Sequence, residues 1–421
     1  MAAEERLKII DIMGHPPDYK SYANKPRPPV NWDTPGGSWV GIWGYDWADQ
    51  IGSHILEVDN TISYEVWQPD LRADRVYSHQ FDNGLIHKSF PTELKKQFSG
   101  LKKSTYCYSN KMLDILLNKN HDEATVLVLP PHVDPFVQKV IGTNIPSLHN
   151  CLGLPENLLG DLQKTLNPIK FFHKYLIKSK NKKSLKKIKN IVIGCYLPNG
   201  KAILEKFVKG KIYTNLVGID LDLYKVYDRS EARNLLGINQ QPFALFTSSR
   251  LVSIKQVDKI ILSLEKSKGL DFIFFISGHG ERSYEKYLQN LIFKTGLEKK
   301  IKMVGYVSEA DLVKYYAASD VFVNASCNDG GPMSAWKAMA MGVPVVNADI
   351  GNVYHFLLQE KAGLIINREN YFEWGSLFNK VISRQIEVKI PPVDKVRNLL
   401  NWKNISMKYI QIFEDVVSKE Y

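Results

Sequence analysis

The stretch "DVFVNASCNDGGPMSAWKAMAMGVPVVNAD", residues 320–349, decides the fold. It begins as an unbroken apolar run and loosens into small residues around Gly330 and Gly331. It continues as a helix-forming segment from Met333 and ends in a second apolar run after Gly342-Val343-Pro344. Strand, glycine loop, helix and strand in about thirty residues is the pattern of a crossover between two parallel strands, each buried on both faces.

The same alternation extends outward. Apolar runs stand at "FALFTSS" (243–249), "DFIFFISG" (271–278), "KIKMVGY" (300–306) and "GLIIN" (363–367), with helix-like segments such as "VDKIILSLEKS" and "SYEKYLQNLIFKTG" among them. The first half repeats the scheme less regularly. "LKIIDIMG" reads as a strand, "KPRPPVNWDTPGG" as a loop and "SWVGIWGYDWADQIG" as a helix. "HILEVD", "DRVYSHQ", "STYCYS" and "ATVLVLP" read as further strands. The expected fold class is α/β, with two doubly wound Rossmann-like domains facing a central cleft and a ligand at the carboxyl ends of the strands. The expected boundaries are 1–215 for the first domain, 216–385 for the second and 386–421 for a closing segment. In that segment Ile405, Tyr409, Ile412, Phe413 and Val416 share one helical face.

A chain of 421 residues, 44% hydrophobic and 24% charged, is of ordinary globular composition and long enough for two domains. No apolar run reaches the length of about 18 residues that spans a bilayer. The start, "MAAEERLKII", lacks a signal peptide's apolar centre. Cys107, Cys151, Cys195 and Cys327 are scattered, without metal or redox spacing, and are expected to be reduced. A cytoplasmic protein, peripheral at the inner membrane face, is the expectation. The net charge of +11 is localised: Lys164–Lys211 holds fourteen lysines and one acid, Glu205, a net +13, so the rest of the chain carries −2. Any anionic partner is to be sought at that segment.

Two glycine pairs stand between a strand and a helix, Gly36-Gly37 in "TPGGSW" and Gly330-Gly331 in "CNDGGPMS". Backbone N–H groups at a helix start point at an anion, and glycines let it come close, which suits a phosphorylated ligand. Arg250, just past a strand, and Lys255, five residues on, are cations placed to meet a diphosphate. Read singly, the glycines could be plain turns and the cations solvated surface.

Taken together these segments resemble the family 4 retaining glycosyltransferases of the two-domain GT-B fold. The family pattern of an arginine–leucine turn, a Lys-Gly-x-Asp helix start, a closing acidic–glycine loop and a "G.PvV" strand is matched by four segments. They are "SSRLVSIKQVDKII", "ISGHGE", "VGYVSEADLVKYYAASDVFVNAS" and "NDGGPMSAWKAMAMGVPVVNADIGNVYH". "LVGIDLDLYKVYDRSEARNLLGI" precedes them, "IPSLHNCLGLPE" echoes the first domain, and "NWKNISMKYIQIFE" is similar to the family's closing helix. The resemblance implies transfer of a sugar from a nucleotide-sugar, UDP- or GDP-linked, to a hydroxyl of a glycan or lipid-linked acceptor, with retention and without a metal or other cofactor. It implies that Arg250, Lys255 and Asp329 serve the reacting groups, with His149 or His132 at the acceptor or donor sugar. The implied donor site is Gly36, Gly37, Ser249, Gly278, Tyr306, Val307, Gly330, Gly331, Pro332, Met333, Ser334 and Lys337. The first domain would take the acceptor and the second the nucleotide-sugar.

This chain departs from the family pattern at several positions. The paired glutamates fall on Asp329 and Lys337, a later glutamate falls on His355, the second glycine of a turn is Asn352, and the glycine before Arg250 is Ser249. A first-domain histidine falls on Leu152. The family glutamate at 337 accepts hydrogen bonds from ribose hydroxyls, and a lysine can only donate. The ribose is therefore expected to be held differently, with Lys337 near the phosphates or turned to solvent.

The basic segment opens "NPIKFFHKYLIKSKNKKSLKKIKN". Asn167-Pro168 suits a helix start. Phe171, Phe172 and Tyr175 cluster beside Lys170, Lys174 and Lys178, with Lys182, Lys183, Lys186 and Lys187 beyond. Such a helix fits an anionic bilayer surface, or else packs its aromatics on its own domain. Two other functions stay open: glycosyl transfer to nucleic acid, disfavoured because no nucleic-acid-binding module is recognisable, and a non-catalytic GT-B scaffold.

Overall fold

The computed structural model describes residues 6–13, 47–71, 73–99, 101–118, 124–129, 135–141, 143, 145–151, 168–193, 201 and 204–418. The chain divides into two compact units. The first takes the described residues up to Val217 and those from Trp402 onward; the second is Gly218–Asn401.

Among its described residues the first unit carries ten strands: β1 (Lys8–Ile12), β2 (Ser63–Asp70), β3 (Tyr77–Gln80), β4 (Ile86–Pro91), β5 (Glu93–Ser99), β6 (Lys102–Tyr108), β7 (Thr125–Leu129), β8 (Ser147–Cys151), β9 (Ile191–Ile193) and β10 (Ile212–Thr214). Eight form one sheet in the order β10-β9-β8-β7-β1-β2-β4-β3, parallel except that β3 runs against β4; β5 and β6 form a separate hairpin. The two-residue period of β1 builds a core on each face. Ile9 packs with Ile55, Val66, Val126 and Phe413, whereas Ile10 and Ile12 pack with Trp67, Phe90, Leu127 and Phe136. The helix Trp402–Val417 buries Ile405, Tyr409, Ile412, Phe413 and Val416 in the first of these cores.

One local expectation is overturned. "HILEVD" reads as a strand, but His54–Val58 ends the helix Trp47–Val58. Ile51, Ile55 and Leu56 bury one face, while His54 turns outward to Glu57 at 2.8 Å. Three apolar residues within four positions, Ile55, Leu56 and Val58, do not distinguish the two periods. The strand comes later, as "SYEVWQPD".

His87, on β4, is fully buried. Burial, and then the nearby charge of His79, pushes its pKa down to about 3. The unfolded chain takes up that proton near the ordinary value of about 6.5. This contribution to stability is therefore complete above that value and fades as pH falls toward 3, amounting to about 2 kcal/mol lost by pH 5. Urea unfolding at pH 7.5 and pH 5 should show His87→Leu losing less stability on acidification than the parent. Equal slopes would mean that the histidine is not responsible.

The second unit has six strands, β11 (Phe243–Ser248), β12 (Phe272–Ser277), β13 (Ile301–Gly305), β14 (Val321–Asn324), β15 (Val345–Ala348) and β16 (Leu364–Ile366). They form one parallel sheet in the order β13-β12-β11-β14-β15-β16. The chain moves one way from β11 and then returns to β14 on its other side. That reversal opens a crevice at the carboxyl ends of β11 and β14, where open α/β sheets take ligands.

Candidate functional site

Arg250 and Lys255 follow β11, and the glycine loop with Asp329 follows β14, so the topology brings them to the same switch point. Lys255 Nζ donates to Asp329 Oδ2 at 2.5 Å, with side-chain exposures of 18% and 14%. The pair is largely withdrawn from water, where mutual attraction is stronger than at an open surface. Cys327 N–H bonds Ile254 O at 2.9 Å and ties the two loops together. Arg250 is exposed.

The helix Met333–Ala340 starts at the end of this loop. Its cap, Pro332, offers no side-chain acceptor, and the first intrahelical donors are Ala335 and Trp336, both to Pro332 O. The N–H groups of Met333 and Ser334 therefore have no helical partner and are available to an anion. Gly330 and Gly331 lie tight against the next helix, Gly351–Glu360. Asn352 N–H bonds Gly330 O at 3.0 Å, and a Cβ at Gly331 would lie 2.9 Å from Asn352 Nδ2. Trp336 Nε1 donates to Asn352 Oδ1 at 3.0 Å, deep in the unit. The asparagine at the family's second turn glycine thus locks the two helix starts together.

Ser249 sits at the end of β11, its N–H bonded to Ser277 O at 3.1 Å. Its hydroxyl oxygen is buried and makes no hydrogen bond among the described residues. Gly278 follows β12 with a φ of +130°, and a Cβ there would lie 1.8 Å from Ser249 O. Its role in this structure is the close approach of two backbones. Tyr306, after β13, is 74% exposed, its ring 6.3 Å from that of His279 with the planes 12° apart. Val307 beside it is half-buried.

Lys337 does not stand free. Its Nζ donates to Glu309 Oε2 at 2.7 Å and lies 4.6 Å from the centre of the Tyr224 ring. The Tyr224 hydroxyl donates to the same Glu309 oxygen. Burial first, and then the Glu309 carboxylate, pushes the pKa of that hydroxyl well above its ordinary range, so it remains a donor. Glu309 and Tyr224 were not singled out from the sequence. The one signal for a partner was that a lysine within a helix on a sheet is rarely buried unpaired.

The other candidates lie in the first unit. His149, expected at a cleft edge, is instead fully buried in β8, an interior strand flanked by β7 and β9. Gly36, Gly37 and His132 lie outside the described residues, as do the side chains of Lys170 and Phe171. In the helix Pro168–Leu185, Phe172 and Tyr175 are 52% and 51% exposed, and Lys174 is exposed too. Its far end is anchored through Ser184 and Leu185, both buried, with Lys182 over the Phe207 ring. Lys178 is half-buried, and Lys183, Lys186 and Lys187 are exposed.

Residues 228–390 match the family described as glycosyl transferases group 1. A D-inositol 3-phosphate glycosyltransferase from Mycobacterium sp. (strain KMS) is 25% identical over 170 residues, 40% of this chain and 38% of that protein. The chain thus spans well under half the length of that curated relative. Among solved structures, sucrose-phosphate synthase from Thermosynechococcus elongatus superposes with a TM-score of 0.66 at 16% identity, over 98% of this chain and 100% of that one. HepE from Anabaena, solved in complex with UDP, superposes with a TM-score of 0.65 at 14% identity, over 97% and 100%. The architecture of these neighbours is the GT-B fold, with two parallel-dominated sheets. Residues 228–390 are thus similar to the glycosyl transferases group 1 family, and the fold of the chain is GT-B.

Proposed function

We propose that the protein is a retaining glycosyltransferase that moves a sugar from a nucleotide-sugar to a hydroxyl of a glycan or lipid-linked acceptor. The observation that carries this reading is the switch point of the second unit. There Lys255 and the open N–H groups of Met333 and Ser334 share one rim with exposed Arg250. In the reaction the bond from the anomeric carbon to the diphosphate oxygen breaks. The acceptor oxygen bonds to the same face of that carbon, and its proton leaves with the diphosphate. The negative charge that develops on the diphosphate is met by cations and helix N–H groups already in place. The cationic side chains take the metal's usual task in this reading. UDP is the first donor base to try, because HepE was solved with UDP; GDP is the second.

The second unit binds the donor in this proposal and the first binds the acceptor. Incubation with a panel of UDP- and GDP-sugars, with and without EDTA, tests it. Slow release of nucleoside diphosphate from one donor, unaffected by the chelator, is expected. Release from none, together with no nucleotide binding by calorimetry, would remove the reading.

The helix Pro168–Leu185 supports a place at a membrane surface. No helix among the described residues is long and apolar enough to cross a membrane. Phe172 and Tyr175 stand exposed beside lysines instead of packing inward. Each lysine close to an anionic surface contributes about 1 kcal/mol, so several suffice for salt-sensitive attachment. Co-sedimentation with liposomes should rise with the anionic lipid fraction and fall with salt. Indifference to both would leave the helix as solvated surface.

A further inference from the structure

Four features of the second unit follow one another along its carboxyl-end rim. Tyr306 exposes its aromatic face after β13. Glu309 opens the next helix, three residues on. Lys337 lies on the helix Met333–Ala340, one turn beyond the open N–H groups of Met333 and Ser334. Buried Tyr224 lies behind Glu309 and Lys337.

An exposed ion pair between mobile side chains fixes nothing. This one differs. Glu309 is 57% exposed, but both of its bonds come from groups set behind it, a buried tyrosine hydroxyl and a lysine only 20% exposed. Both bonds land on Oε2, and Oε1 carries no hydrogen bond among the described residues. The carboxylate is held from one side with an acceptor to spare. Lys337 also cancels its charge, so it does not repel a neighbouring diphosphate as a bare carboxylate would.

Spacing supplies the ligand. One helical turn is about 5.4 Å. A diphosphate at the N–H groups of Met333 and Ser334 therefore places whatever is joined to it about a turn away, beside the Lys337–Glu309 pair. In a nucleoside diphosphate that part is the ribose, whose two neighbouring hydroxyls need an acceptor, and the base would come next, toward Tyr306. We propose that Glu309 accepts hydrogen bonds from the ribose hydroxyls of the donor, and that Lys337 is the positioning residue that holds it. This rests on the nucleotide-sugar reading given above.

Calorimetry with UDP, GDP and their 2′-deoxy forms tests it, using the intact protein, Glu309→Ala, Lys337→Met and the double variant. The parent is expected to prefer the ribo form of its nucleotide by at least about tenfold, since one lost hydrogen bond of about 1.4 kcal/mol gives that factor. Glu309→Ala should bind both forms within about threefold of each other. Lys337→Met should reduce the preference too, and should cause no further loss once Glu309 is alanine. Undiminished preference in Glu309→Ala overturns the assignment. So does a further fall in affinity for both forms when Lys337→Met is added to Glu309→Ala, because Lys337 would then touch the phosphates directly. A parent that binds neither UDP nor GDP overturns the donor reading itself, which a failure confined to the variants does not.

Discussion

Lys255→Ala is expected to lower turnover by at least about a hundredfold, and Arg250→Ala by about as much, once a donor is identified. Losing one preorganised charge contact to a developing anion costs roughly 3 kcal/mol in the transition state. Lys255 has a second effect. Its partner Asp329, only 14% exposed, would keep a negative charge with nothing opposite it, close to where the diphosphate leaves. Lys255→Ala therefore both removes a cation and uncovers an anion, whereas Arg250→Ala removes a cation from an exposed position. The double change Lys255→Ala/Asp329→Ala should recover nucleotide affinity relative to Lys255→Ala alone. Asp329→Ala by itself should leave nucleotide binding intact or tighter, because it frees Lys255, while damaging transfer. Steady-state kinetics with calorimetry on the free nucleoside diphosphate separates these effects. Wild-type turnover in either single lysine or arginine variant would remove the diphosphate assignment.

The second unit was legible in the sequence for a physical reason. Parallel strands covered on both faces are continuous apolar runs, so "FALFTS", "FIFFIS" and "VFVN" announce themselves. The first unit reads less well. Its strand β2 carries Glu65, Gln68 and Asp70 inside the fold, while "HILEV", which looks like a strand, is helix. The switch-point residues were legible because each falls in a short segment with a strand on one side and a helix on the other. Their pairings were not. Lys255 and Asp329 stand 74 residues apart in the chain, and Lys337 and Glu309 stand 28 apart. Only the sheet order brings each pair together. Lys337 is the clearest case: from the sequence it was expected near the phosphates or in solvent, and nothing local pointed to Glu309.

Gly278→Ala should be the most damaging small substitution in the second unit. The residue has a φ of +130°, in a region that residues with a Cβ rarely enter. The added Cβ would meet Ser249 O at 1.8 Å. That oxygen is backbone, so no side chain can swing aside. Gly280, two residues on, stands equally close to Leu251 O, at 2.0 Å. Between these contacts Leu251 N–H bonds His279 O at 2.9 Å and Glu281 N–H bonds Leu251 O at 3.0 Å, so the loops after β11 and β12 are zipped along their length. Relief of the clash has to separate them. That breaks these bonds and carries Ser249 and Arg250 away from the switch point. A cost of about 3 kcal/mol or more is expected, the scale of strain added to lost buried hydrogen bonds. Gly237 is the control. It too has a positive φ, +64°, but a Cβ there would meet nothing within 4 Å. Gly237→Ala should cost only about 1 kcal/mol, the backbone penalty alone. Urea unfolding of the two variants measures the difference, and nucleotide calorimetry should show binding lost in Gly278→Ala and kept in Gly237→Ala. Equal costs would mean that the strand ends can part freely and that the tight backbone contact does not set the site.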